Sequence, residues 1–192
     1  MNPTPLHGRS PMVLTAAMVG AETTREQTPY LPISAEEIAE DAAKCREAGA
    51  AMVHLHVRTP DGKPSQDAEL FRAAIRAIRA RCDVLIQVST GGAVGMNVDE
   101  RCGGLKLTGA DRPDMATLST GTVNFGPDVF WNPRPLIRDI ATRQGAGHQA
   151  RARVLRRRHD QRGARAGERR LHHLACTLRL RARGGRGAGG DG

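Results

Sequence analysis

Apolar and polar residues alternate with period two over residues 52–58, so an extended chain sends Val53, Leu55 and Val57 to one face and His54, His56 and Arg58 to the other. Helical spacing takes over on either side. Ser34-Ala-Glu-Glu37 is a capping box, with the serine accepting from the third helical N–H and Glu37 reaching back to the serine N–H. Ile38, Ala42 and Cys45 then recur at spacings near four until Gly49 stops the helix. Asp67 caps a second helix in which Leu70, Phe71, Ala74, Ile75 and Ile78 make one apolar stripe, a core face rather than a cofactor box. Apolar runs over residues 12–19 and 83–88 predict buried strands, residues 115–118 a fourth, and residues 133–143 a helix with Leu136, Ile137 and Ile140 inward.

Strand and helix thus alternate, which predicts an α/β protein with a parallel sheet. Polar residues at the ends of successive strands fit the first half of a (β/α)8 barrel of the TIM type, about four βα units over residues 12–143, better than a dinucleotide-binding fold. No Gly-x-Gly-x-x-Gly or Walker loop argues for the latter. A chain of 192 residues can hold one sizeable core but falls short of the roughly 250 residues of a complete barrel. Residues 1–11, polar with two prolines among the first five, read as a flexible leader.

The candidate chemistry lies at the strands' C-terminal ends. Strand rise is roughly 3.3 Å per residue, so the Cα atoms of His54 and His56 stand about 6.6 Å apart, a span two imidazoles can close onto one metal ion. A plain polar face is the alternative. Ser89-Thr90-Gly91-Gly92 ends the next strand with hydroxyls and unhindered N–H groups suited to a carboxylate, although such a loop is also an ordinary turn. Gly20-Ala-Glu22 brings a glutamate towards the same rim, and Ser119 to Gly126 is a second polar loop. Cys45, Cys82, Cys102 and Cys176 form no Cys-x-x-Cys pair and no export signal opens the chain, so a reducing cytoplasm is expected. No apolar run approaches the 18 or so residues of a membrane span.

Charge changes the picture only at the C-terminal end. Residues 1–143 hold 16 basic and 17 acidic residues, whereas residues 144–192 hold 13 and 3. All 13 of those basic residues are arginine, accompanied by 10 glycines and no Phe, Tyr or Trp, so the segment cannot build a core. It is expected to be a disordered Arg/Gly-rich tail. Its direct functional reading is non-specific nucleic-acid binding, since aromatics for base stacking are lacking.

Taken together, Thr15-Ala-Ala, Gly20-Ala-Glu22, Pro29-Tyr-Leu-Pro-Ile, His54-Leu-His-Val-Arg58, Pro64-Ser-Gln-Asp67, Gln87-Val-Ser-Thr-Gly-Gly92, Met115-Ala-Thr and Asn124-Phe-Gly126 resemble the β-keto acid cleavage enzymes, of which 3-keto-5-aminohexanoate cleavage enzyme is the type member. The resemblance covers about residues 12–143. It implies a zinc-containing (β/α)8 barrel working as a homo-oligomer, with a role such as lysine degradation. It also implies a reaction in which a β-keto acid and acetyl-CoA, the co-substrate, give acetoacetate and a new acyl-CoA by enolate addition, CoA transfer and retro-Claisen cleavage. Zinc as Lewis acid stabilises the alkoxide and enolate charge. By motif, His54 and His56 would be zinc ligands, while Ser89, Thr90 and Gly91 would cradle the substrate carboxylate. Thr117 would contact substrate and Glu22 would meet its distal end. The family's remaining zinc ligand, a late glutamate, and its catalytic Arg and Asp belong to the second half of the barrel, so a chain ending in this tail is expected to be truncated and inactive. A zinc amidohydrolase also uses His-x-His, but on the first strand of its barrel, whereas a strand and a helix come first here.

Arginine, alanine and glycine without lysine is also what a GC-rich coding sequence gives in the wrong frame. Permitted codons for residues 148–161, read one base later, can spell IKPELECFDAGMIN, which resembles the family's next strand where it is due. The expectation is a frameshift near Arg143. Sequencing the gene tests it: an alternative frame that encodes no further barrel strands would end the idea.

Overall fold

The computed structural model describes residues 13–145, 149–153 and 178–179, so the leader and most of the tail lie outside the described residues. In chain order the elements are β1 (Thr15–Ala17), α1 (Ala35–Glu47), β2 (Met52–Leu55), β3 (Val57–Arg58), β4 (Pro64–Ser65), α2 (Ala68–Arg81) and β5 (Leu85–Val88). After them come α3 (Val98–Arg101), β6 (Met115–Ser119), β7 (Val123–Phe125), β8 (Asp128–Phe130), α4 (Arg134–Gly145), β9 (Gln149–Arg153) and β10 (Leu178–Arg179). The main sheet runs β1-β2-β5-β6-β9-β10. Its first five strands are parallel and stand in the order in which the chain makes them, as successive βα units of a barrel do.

Local chemistry sets both long helices. Ser34 Oγ accepts from Glu37 N–H, and Glu37 returns the bond to Ser34 N–H, completing the capping box. Asp67 caps α2 through Glu69 N–H and Leu70 N–H. Inward residues of these helices, Ile38, Ala42, Phe71, Ala74, Ile75 and Ile78, pack on Val53, Leu55, Ile86, Val88 and Ala116 from alternate strand positions. That layer is the core. A smaller cluster of Cys102, Leu118 and Ile140 anchors α4, with Leu136 and Ile137 partly buried beside it.

Three differences from the sequence reading have local causes. The strand expected over residues 52–58 breaks at His56: β2 pairs within the sheet, while β3 turns out to form an antiparallel hairpin with β4. A tight turn closes that hairpin through Gly62 N–H to Thr59 O (2.8 Å), with Gly62 at φ +85°. The loop expected after the fourth strand contains the β7–β8 hairpin, too short for a periodic signal. Within the segment expected to be disordered, β9 pairs in parallel with β6, because a ladder needs only backbone groups to cover an open edge. Among the described residues no helix is long and apolar enough to cross a membrane.

The N-terminal cap of α1 carries a pH signature. Glu37 accepts from Ile33 N–H (2.8 Å) and Ser34 N–H (3.0 Å) and pairs with Arg25 (2.6 Å), which lowers its pKa from 4.5 to about 2. A lowered carboxyl contributes stability that is complete above the unfolded-state value and is lost as pH falls through the folded one. Glu37→Gln is therefore expected to cost about 1 kcal/mol at pH 7, a capping magnitude since the pair is solvent-screened, and to flatten the loss of stability between pH 4.5 and 2. Urea unfolding across that range checks it; parallel curves for the two proteins would refute it.

Candidate active site

The face of the sheet opposite the helices carries the polar residues. Register places Ala17 beside His54 and His54 beside Gln87, and Thr117 stands one strand further on. Val53, Leu55, Ile86 and Val88, at the intervening positions, are committed to the core. The alternation that builds the core therefore delivers the polar set to one surface.

His54 is buried and His56 half-buried, and their Nε2 atoms lie 3.1 Å apart with the rings nearly perpendicular at 85°. Two imidazoles on one tetrahedral zinc at about 2.0–2.1 Å have nitrogens roughly 3.3 Å apart, so the pair fits two positions of such an ion. Among the described residues no third His, Cys, Asp or Glu joins them.

Beyond β5 the Ser89 loop is held by an internal network. Thr90 N–H donates to Thr117 Oγ1 (3.1 Å), the Thr90 hydroxyl donates to Thr117 O, and Gly91 N–H donates to Ser89 Oγ (3.1 Å). Gln144 of α4 also donates to Thr117 O (2.5 Å). Gly92 has φ +64°, and a Cβ there would come within 2.9 Å of Arg101 Cγ, so the second glycine is required by both backbone and neighbour. Ser89, Thr90, Gly91 and Thr117 are thus brought together. Glu22 stands apart and exposed; its loop is tied to β3 through Arg58, which donates to Gly20 O (3.1 Å) and also to Gly62 O (2.7 Å). Burial pushes the Arg58 guanidinium below its ordinary pKa, and the Glu22 carboxylate acts in the opposite direction.

Several buried polar residues carry no sequence signal of their own. Gln87, 7% exposed, lies beside His54 in the ladder, and Arg101, 2% exposed, reaches the Ser89 loop from α3. The only local hint is the Asn97–Glu100 capping box that starts α3. Asn132 is buried at the base of the β7–β8 hairpin, where it meets Arg101.

The sequence profile described as beta-keto acid cleavage enzyme matches residues 11–152. The chain belongs to that family. It is 50% identical over 131 residues to the 3-keto-5-aminohexanoate cleavage enzyme of Fusobacterium nucleatum subsp. nucleatum, a match covering 67% of this chain and 47% of the relative. It is 39% identical over 137 residues to the 3-oxoadipate:acetyl-CoA acetyltransferase of Cupriavidus necator, covering 71% and 46%. The chain thus spans about half the length of these members of the beta-keto acid cleavage enzyme family. The solved ternary complex of ObcA with a C4-CoA adduct and oxalate superposes with a TM-score of 0.57 at 23% identity, over 65% of this chain and 31% of that one, a likeness in fold. The parallel sheet is accordingly of the TIM-barrel type.

Thr117→Val removes the acceptor of the Thr90 N–H in a buried place. The expected cost is about 1–3 kcal/mol of unfolding free energy, because a buried donor is left unsatisfied. Chemical denaturation of the variant and the parent measures it, and a change under about 0.5 kcal/mol, the scatter of ordinary surface substitutions, would contradict the network.

Proposed function

We propose that this chain carries the part of a β-keto acid cleavage enzyme that holds two zinc-binding imidazoles and the cradle for the substrate carboxylate. The observation that carries the reading is the convergence of His54 Nε2 and His56 Nε2 to 3.1 Å at the rim of the sheet. The proposed substrates are a β-keto acid and acetyl-CoA, and the products acetoacetate and a new acyl-CoA. A relative named 3-oxoadipate:acetyl-CoA acetyltransferase supports the acyl-transfer chemistry.

Zinc, held by His54 and His56 with ligands from elsewhere, would supply Lewis acidity to the keto oxygen. Ser89 would donate its hydroxyl proton to the substrate carboxylate. Thr117 fixes the loop through the Thr90 N–H, and Thr90 and Gly91 shape its backbone. Glu22, exposed on the loop after β1, would meet the distal end of the keto acid. The intact enzyme is proposed to be a cytoplasmic homo-oligomer.

Metal analysis after dialysis against zinc tests the centre. Losing even an outer-shell partner weakens a site by roughly 10–100-fold, so His54→Ala and His56→Ala should each weaken zinc binding by at least that much. Zinc retention indifferent to both substitutions would remove the histidines from the site.

A further inference from the structure

Arg101 is 2% exposed, and among the described residues no carboxylate forms an ion pair with it. Its guanidinium is satisfied by neutral acceptors in three directions. Nε donates to Thr90 O (2.9 Å), Nη2 to Asn132 Oδ1 (2.8 Å) and Nη1 to Trp131 O (3.4 Å), while the Phe130 ring lies 5.2 Å from Cζ. Taking an unpaired charge out of water is costly, and a clamp between two loops does not require one. The location gives the charge a use. Its strongest backbone contact is the carbonyl of the peptide joining Thr90 to Gly91.

A trans peptide points its C=O and N–H in opposite directions. Arg101 fixes and polarises the Thr90 carbonyl, so the Gly91 N–H of the same unit is aimed away from the arginine, where it meets Ser89 Oγ at 3.1 Å. A serine oxygen that accepts from Gly91 keeps its proton for another acceptor. We infer that Arg101 is a positioning residue for Ser89: it sets the Thr90–Gly91 peptide so that the serine hydroxyl is presented as a donor to a carboxylate at the rim. This rests on the reading of Ser89 as the substrate-carboxylate donor. Lysine cannot replace the arginine, because a single ammonium does not span Thr90, Trp131 and Asn132 in a fixed fork.

The test uses the full chain and follows amide hydrogen exchange at Gly91, with Ile75 and Ile78 of α2 as reporters of folding. Arg101→Lys should speed Gly91 exchange by about ten-fold, the worth of one lost hydrogen bond, and leave the α2 amides unchanged. Ser89→Ala should release Gly91 to the same degree, and the double variant no further, since the two act through one bond. If Arg101→Lys also frees the α2 amides, Asn132→Ala decides, because it loosens one arm of the guanidinium and should still speed Gly91. Unchanged Gly91 exchange in Arg101→Lys, in Asn132→Ala once that variant is needed, or effects of Arg101→Lys and Ser89→Ala that multiply, would overturn the inference. Titration with acetoacetate separates the two readings. Weakening by Arg101→Lys that disappears in the Ser89→Ala background supports both. Binding that ignores Ser89→Ala while Gly91 still answers to Arg101 would sink the cradle and leave the positioning of Ser89 supported.

Discussion

The structure depends on a single layer of apolar contact: Ile38 and Ala42 of α1 and Phe71, Ala74, Ile75 and Ile78 of α2 pressed onto Val53, Leu55, Ile86 and Val88 of neighbouring parallel strands. Full burial of a Val, Leu, Ile or Phe side chain stabilises by about 1.5–3 kcal/mol, so the eight of them in this layer together outweigh any single polar interaction described here. Strand order follows from the same layer. Each helix must return the chain to the adjacent strand in the right-handed sense, which leaves the strand ends and their loops together on one rim.

Polar groups on that rim are held by directed bonds instead of packing. Two buried arginines do similar work at different places: Arg58 ties the Gly20 loop to the β3–β4 turn, and Arg101 ties the Ser89 loop to the base of the β7–β8 hairpin. The hydrogen bonds each makes go largely to carbonyl oxygens, so the desolvation that lowers both pKa values is not cancelled by a neighbouring carboxylate.

Most of the framework could be read from the chain because it was written in periodicities and caps. Ser34 with Glu37, Asp67, and the stripes from Ile38 and Phe71 gave the helices, and the alternation around Val53 and Leu55 gave the central strand. Both histidines were legible for the same reason, as polar positions on an apolar strand. The break at His56 was not, since β3 owes its separate pairing to the Gly62 turn and to β4, a contact between residues that share no pattern. Arg101 was equally hidden: a charged residue at the end of a short polar helix reads as surface until the fold brings Thr90 and Asn132 to it. The parallel pairing of β9 with β6 escaped because backbone pairing is nearly blind to composition.

Alternation along β2 and β5 has one more consequence. Neighbouring residues in the same strand meet different surroundings: Val53, Leu55, Ile86 and Val88 the apolar layer under the helices, His54 and Gln87 the polar face. A substitution on the polar face therefore disturbs hydrogen bonds, as at Thr117, whereas one on the apolar face disturbs packing. Such alternation also fixes the register: a one-residue slip would turn the apolar side chains to the polar face and the polar ones into the core.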